Sequence, residues 1–152
     1  MSNNWSSTNK YDYWNKDNIV GTNNNNTVKK TVYSPSPTNF SEPKAAVFTG
    51  FTITGANTST VSEFNVSGGF NKGWNFYCQP KSQGNAVFFS ALGLRFYNTG
   101  IATNVSANGH YWTAGPSDTV TYARYLGFIS GGILPQDVSF RAYGFSVRPV
   151  SE

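Results

Sequence analysis

Between Gly109 and Val150 the side chains change character residue by residue, and that rhythm constrains the fold more than any other feature. Leu126 and Phe128 alternate with Tyr125, Gly127 and Ile129. A period of two is the strand period, so it sends the first pair to one sheet face and the other three to the opposite face. Near the end, Phe145 and Val147 share one face and Ser146 and Arg148 the other, with Phe145 and Val147 expected to point inward. The segment between, Leu134 to Phe140, has no clean period and reads as a displayed loop or irregular edge held between rigid strands.

Elsewhere no window carries apolar residues at helical spacing, while fifteen Gly, seven Pro and many Ser, Thr and Asn interrupt the chain. Short strands and long loops follow, with one or two short helices, in a chain of 152 residues that is long enough for one core. Residues 1–27 form a polar, Asn-rich segment partly packed on the body through Trp5 and Trp14, with an exposed loop at 21–27. Residues 28–152 form the domain proper.

In chain order, Val28–Tyr33 is a candidate strand ended by Ser34-Pro35-Ser36-Pro37. Ala45–Thr54 suits a short helix or turn followed by a strand, with Phe48 and Phe51 in the core. Ala56–Ser62 reads as loop, and Phe64-Asn65-Val66 precedes a turn at Gly68-Gly69. Trp74–Tyr77 and Ala86–Phe89 flank a hairpin turn at Lys81–Asn85, and Ala91–Tyr97 continues as a further apolar run. Gly100 and Gly109 bracket a polar connection and can supply positive φ, before a strand at Tyr111-Trp112.

The net charge of +4 and pI near 9.2 invite a nucleic-acid reading, but Lys29-Lys30 is the one adjacent basic pair and no basic groove is encoded. The single cysteine, Cys78, excludes an internal disulfide framework and a multi-thiolate metal site, and its alternation with Trp74 and Phe76 suggests a buried thiol. The first residues have neither the basic start nor the apolar run of a signal peptide, so the chain is not exported by that route or is a piece of a longer protein. No apolar stretch is long enough to span a membrane as a helix.

The seven acids are scattered and form no catalytic or metal motif. His110 has no Gly-x-Ser-x-Gly partner and sits in a Gly-bounded loop, where a surface contact role is expected. No glycine loop opens a helix to cradle phosphate. Arg95, Trp112, Leu126, Phe128, Arg141, Phe145, Val147 and Arg148 read as framework. Phe96, Ile101, His110, Tyr125, Ile129, Leu134, Val138, Phe140 and Tyr143 are left in turns or opposite the inward face. Such residues make either a binding patch or a second small core under the loops, and the patch is favoured.

The segments Gly-His-Tyr-Trp-Thr-Ala-Gly-Pro, Arg-Tyr-Leu-Gly-Phe and Arg-Ala-Tyr-Gly-Phe-Ser-Val-Arg-Pro-Val resemble the C-terminal C-type-lectin-fold domains of bacterial surface and phage tail proteins. These overlap with the formylglycine-generating-enzyme-like group and include variable proteins diversified by retroelements through adenine mutagenesis. The resemblance covers about residues 28–152 and implies an α+β, C-type-lectin-like fold. It implies ligand-contacting variable positions at Phe96, Asn98, Ile101, Thr103, His110, Val120, Tyr125, Gly127, Ile129, Leu134, Asp137, Val138, Ser139, Phe140 and Tyr143.

The calcium-lectin signatures are missing, since Glu42-Pro43-Lys44 and Trp74-Asn75-Phe76 do not replace them, so no metal or other cofactor is expected. Ser36 and Ser41 stand where such proteins often carry cysteines, and Cys78 alone cannot form the oxidising pair of a formylglycine-generating enzyme. The expectation is a non-enzymatic receptor or adhesion module. It would recognise a protein or glycan on a host or partner surface, from an extracellular, cell-surface or phage-tail-tip location. Neither nucleic-acid binding nor membrane insertion is expected, and a homo-oligomer is allowed. The alternative is a structural tip domain of a pilus or tail fibre with its apolar face buried in an assembly.

Overall fold

The computed structural model describes residues 10–19, 21–22, 24–53, 60–67, 69–77 and 85–152. Expectations for Trp5, Cys78, the turn residues 81–84 and most of the loop at 56–62 fall outside them.

Among the described residues the protein is strand-rich, with two short 3₁₀ helices. In chain order the strands are β1 (Phe40–Ser41), β2 (Val66–Ser67), β3 (Gly73–Tyr77), β4 (Ala86–Ser90), β5 (Leu94–Arg95), β6 (Ala102–Thr103), β7 (Gly109–Pro116), β8 (Tyr122–Ile129), β9 (Gly132–Phe140), β10 (Ser146–Val147) and β11 (Val150–Ser151). A four-stranded sheet has the order β10-β7-β8-β9, and a three-stranded sheet the order β2-β3-β4. The small pairs β5-β6 and β1-β11 complete the pattern. β10 runs parallel to β7, and the remaining pairings are antiparallel.

The main core lies where the two larger sheets and the helix Ala45–Phe51 meet. β8 sends in Leu126 and Phe128, β7 Tyr111 and β9 Ile133; β3 and β4 answer with Trp74, Phe76 and Phe89. Phe48 is buried and Phe51 half-buried against them, as expected for that segment. Phe89 sits at the centre, edge-on to Phe48, Phe51, Phe76 and Tyr111 with centroids 5.1–5.8 Å away. Such edge-to-face contacts suit the ring quadrupole. Trp74 Nε1 donates to the Ile129 carbonyl (3.1 Å) and the Tyr111 hydroxyl to the Ser90 carbonyl (2.8 Å), stitching the sheets together. At Gly115 an added Cβ would lie 2.5 Å from Ala45 Cβ, so the helix can approach β7 this closely because that residue has no side chain.

Three expectations are corrected and a fourth is decided between its two alternatives. Val28–Tyr33 is not a strand. Lys29 is held by the N-terminal segment, accepting from Lys16 N–H (2.8 Å) and donating to Asn15 Oδ1 (3.0 Å), and a turn follows at Thr31–Ser34. Its β-branched residues find no partner strand, and β propensity mostly expresses such partners. The run Ala91–Tyr97 is strand only at Leu94–Arg95, because Gly93 turns the chain with φ +71°. Of the two readings of Leu134–Phe140, the irregular edge holds and the loop does not: the segment is most of the edge strand β9. A register shift opposite Tyr125–Gly127 spoils its period, since one extra residue moves the following side chains to the other face. Gly109 lies inside β7 without positive φ, and the Phe128 ring occupies the space above it, 2.0–2.4 Å from where a Cβ would be.

The N-terminal segment lies on the face of β7 and β8 away from the core. Asn15 and Asn18 are buried, and Asn18 Nδ2 donates to the Ala114 carbonyl (2.7 Å). Arg141 donates to the Lys10 carbonyl and stands over the Tyr11 ring. Tyr11, Tyr13 and Trp14 enclose a cavity of about 40 Å³ against Trp112 and Arg141.

Candidate functional site

Alternation along β7 sends Tyr111 to the core and His110 and Trp112 to the opposite face, where Tyr125 of β8 meets them. Trp112 is therefore buried, but not in the main core. A third element completes this layer. After β9 the chain turns at 141–143, and Gly144 bridges Arg95 through two backbone hydrogen bonds of 2.8 and 2.9 Å. An added Gly144 Cβ would lie 2.9 Å from Arg95 Cβ. The chain then enters β10 with Ser146 opposite Tyr111 and Val147 opposite Trp112.

That register reverses the expected faces of the last strand. Phe145 stacks on Trp112 (4.3 Å) and His110 (4.7 Å) in the outer layer, while Arg148 reaches inward over the Phe89 ring (4.5 Å). Parallel pairing with a distant strand, which leaves no local trace, decides this.

The outer rings form a continuous ladder. Its base is His110, Trp112, Tyr125 and Phe145; Tyr143 stacks on Phe145 at 5.6 Å and 20°. Tyr143 then meets Phe96 (5.3 Å) and Tyr97 (5.2 Å) edge to face, and Phe140 joins Tyr97 (5.8 Å) and Tyr122 (4.6 Å). Burial falls along the ladder, from Trp112 at 5% exposure to Phe96 at 36%.

Three expected contact residues lie lower in this stack than their sequence context implies. His110 and Tyr125 are each 9% exposed and Gly127 is buried, so His110 is not a surface residue. The imidazole lies between the Tyr125 ring (5.6 Å, 27°) and the Phe145 ring (4.7 Å, 32°). Burial lowers its pKa, while a backbone hydrogen bond with Gly93 and the charge of Asp137 act the other way. Its Nδ1 is buried without a hydrogen-bond partner. The Tyr125 hydroxyl donates to Asp137 Oδ2 (2.7 Å), and burial with this bond pushes the phenol well above its ordinary range. Asp137 Oδ1 accepts from Val138 N–H (2.8 Å), so both carboxylate oxygens are engaged.

The expected contact residues gather in two neighbourhoods. Phe96, Asn98, Ile101 and Thr103 sit on the β5–β6 hairpin, where Phe96 N–H donates to the Ile101 carbonyl (2.9 Å), and Phe96 meets Tyr143 and through Tyr97 Phe140. His110, Tyr125, Gly127, Ile129 and Leu134 line an open groove of about 450 Å³ at the other end, and Asp137 is tied to Tyr125. Val138 and Ser139 lie opposite Arg124 and Ala123 on β9, and Val120 lies in the β7–β8 turn. Val138 N–H donates to Asp137 Oδ1 (2.8 Å), which ties it to the second neighbourhood.

Tyr97, Tyr122 and Asn108 were not singled out from sequence. Tyr97 had a signal in its adjacency to Phe96 just before a turn, whereas Tyr122 and Asn108 had none. Among the described residues no three His, Cys, Asp or Glu side chains converge on a metal-sized site, and no helix is long and apolar enough to cross a membrane. Comparison of the chain with protein-family models, curated proteins and solved structures gives no match.

Proposed function

We propose that this chain is a ligand-binding module, a C-type-lectin-like scaffold whose outer aromatic layer recognises a protein or glycan on a host or partner surface. The observation that carries the reading is the graded ladder: buried Trp112 and Tyr125, with half-buried Phe145 stacked on them, support half-exposed Tyr143 and exposed Phe96 and Ile101. Rings fixed from below present contact area at low entropic cost, which is the economy of aromatic paratopes. The reading is of binding: Asp137, a carboxylate tied into this layer, is engaged at both oxygens and braces Tyr125. A second reading, burial of an apolar face in an assembly, draws on exposed Phe40 and Val150 on the β1–β11 pair.

The test is an array of glycans and surface proteins, followed by paired affinity and melting measurements on the combined variant Phe96→Ala/Ile101→Ala. Central contact residues carry about 2 kcal/mol each, roughly thirtyfold in affinity. Binding should therefore fall at least that far with an unchanged Tm. Unchanged binding would sink the module reading, and a stable oligomer whose mass depends on Phe40 and Val150 would favour the assembly.

A further inference from the structure

We infer that Arg141 is a positioning residue for the binding layer: it grips the N-terminal segment and thereby sets the turn from which Phe140 and Tyr143 project. What those rings do rests on the binding-module reading, whereas their positioning belongs to the free chain, so the two fail separately. The guanidinium has three attachments. Nε donates to the Tyr122 carbonyl at the start of β8 (2.9 Å), Nη1 donates to the Lys10 carbonyl, and the group stands over the Tyr11 ring at 5.8 Å. The backbone N–H of Arg141 also donates to the Thr121 carbonyl (3.0 Å). Donors in one rigid plane cannot be redirected singly, so the place of the Lys10 carbonyl fixes the plane and, through it, the turn.

The turn itself is lightly held on its outer side. Tyr143 N–H closes it on the Phe140 carbonyl (3.1 Å), and Gly144 pairs with Arg95 beyond it. Between these bonds Phe140 and Tyr143 are held by ring contacts, Phe140 with Tyr122 and Tyr97, and Tyr143 with Phe96, Tyr97 and Phe145. Ring pairs tolerate a range of angles. A tilt of the turn therefore passes through Tyr143 to Phe96 at the β5–β6 hairpin. Among the described residues no ring contact joins Tyr11 to Phe96, Tyr97, Phe140 or Tyr143, which leaves half-buried Arg141 as the link between segment and rings.

The experiment is amide-shift NMR on the full chain without ligand, with Tm measured on each variant. Tyr11→Ala removes the ring beneath the guanidinium and should shift Tyr143, Phe96 and Ile101, while Phe76, Phe89 and Leu126 in the main core stay in place. Tyr11→Phe keeps that ring and should restore the wild-type shifts at all three. Arg141→Lys keeps the charge but loses the planar pair of donors, and should move the same signals as Tyr11→Ala. In melts, Tyr11→Ala and Tyr143→Ala should be non-additive, the double variant losing less Tm than the two single losses together. Shifts confined to residues 10–19 and their immediate neighbours, Tyr11→Phe behaving like Tyr11→Ala, or additive Tm losses overturn the assignment. Shifted rings on a chain that finds no array partner keep the positioning and remove the module.

Discussion

Burial holds the His110 imidazole below its usual pKa of 6.5, and this gives the outer layer a pH dependence with a definite sign. Between the folded and unfolded pKa values the unfolded chain binds a proton that the folded chain does not. Stability is therefore full above about 6.5, falls as pH drops from there towards the folded pKa, and levels off below it. His110 is the only histidine, so the effect has one source. Melts between about pH 7.5 and 5.5, above the carboxylate range, should show Tm falling with pH, and His110→Phe should flatten that slope. A wild-type Tm that is flat or rises on acidification would mean that cation–π attraction from Tyr125 and Phe145 outweighs desolvation. Trp112 tests the same layer by size. With 5% exposure and Phe145 stacked at 4.3 Å, Trp112→Ala should cost about 3–5 kcal/mol in denaturant unfolding. Ile129→Ala, half-exposed at the groove rim, should stay within about 1 kcal/mol.

Glycine decides the geometry of the connections on either side of β5, and two positions separate backbone strain from steric clash. Gly93 and Gly100 have φ of +71° and +68°, but a Cβ on Gly93 would lie 2.2 Å from the Thr103 carbonyl oxygen, whereas Gly100 faces open space. Gly100→Ala should cost about 1–2 kcal/mol, the left-handed penalty alone. Gly93→Ala should cost on the order of 1–3 kcal/mol more, because backbone must move. Equal losses in denaturant melts would show that the hairpin yields freely. What local sequence reveals follows the same division between near and distant causes. Leu126 and Phe128 separate from Tyr125 by alternation alone, and Trp74 and Phe76 do so in β3, because each strand's own period carries the information. Phe145 and His110 cannot be placed that way. One is turned outward by parallel pairing of β10 with β7, and the other is covered by rings from Tyr125 and Phe145, 15 and 35 positions along the chain. β9 hides behind its bulge, and the β-branched run at 28–33 lacks the neighbour that a strand needs. Alternation therefore separates Tyr125 from Leu126 and Phe128, but it does not reveal the graded stack of buried and exposed rings or the two neighbourhoods into which the expected contact set divides.

At the scale of the molecule the four-stranded sheet is covered on both sides, by the main core on one and by the aromatic layer with the N-terminal segment on the other. The second cover is asymmetric. Near Trp112 and Ala114 it is made by Tyr11, Tyr13 and Trp14, and by Asn18 bonded to the Ala114 carbonyl. Near His110 and Gly127 the same face stays open as the groove. The N-terminal segment thus seals one end of the face and leaves the other open. Removing residues 1–27 should expose Trp112 and strip partners from Arg141 and the Ala114 carbonyl, while Leu126, Phe128, Phe76 and Phe89 keep their contacts. Losing one buried side-chain amide bond and two or three half-buried aromatic rings is worth about 3–5 kcal/mol. For a chain of this size that is a Tm drop of roughly 6–20 °C, with a single cooperative transition retained. Binding of a hydrophobic dye should rise at the same time, since Trp112 and the wall of its small cavity become accessible. Calorimetry and dye fluorescence on the shortened and full chains check both effects. An unchanged Tm with unchanged dye binding would mean that the segment rests on the sheet without sealing it. Complete unfolding would mean that the outer layer, not the β8-centred core, holds the fold together.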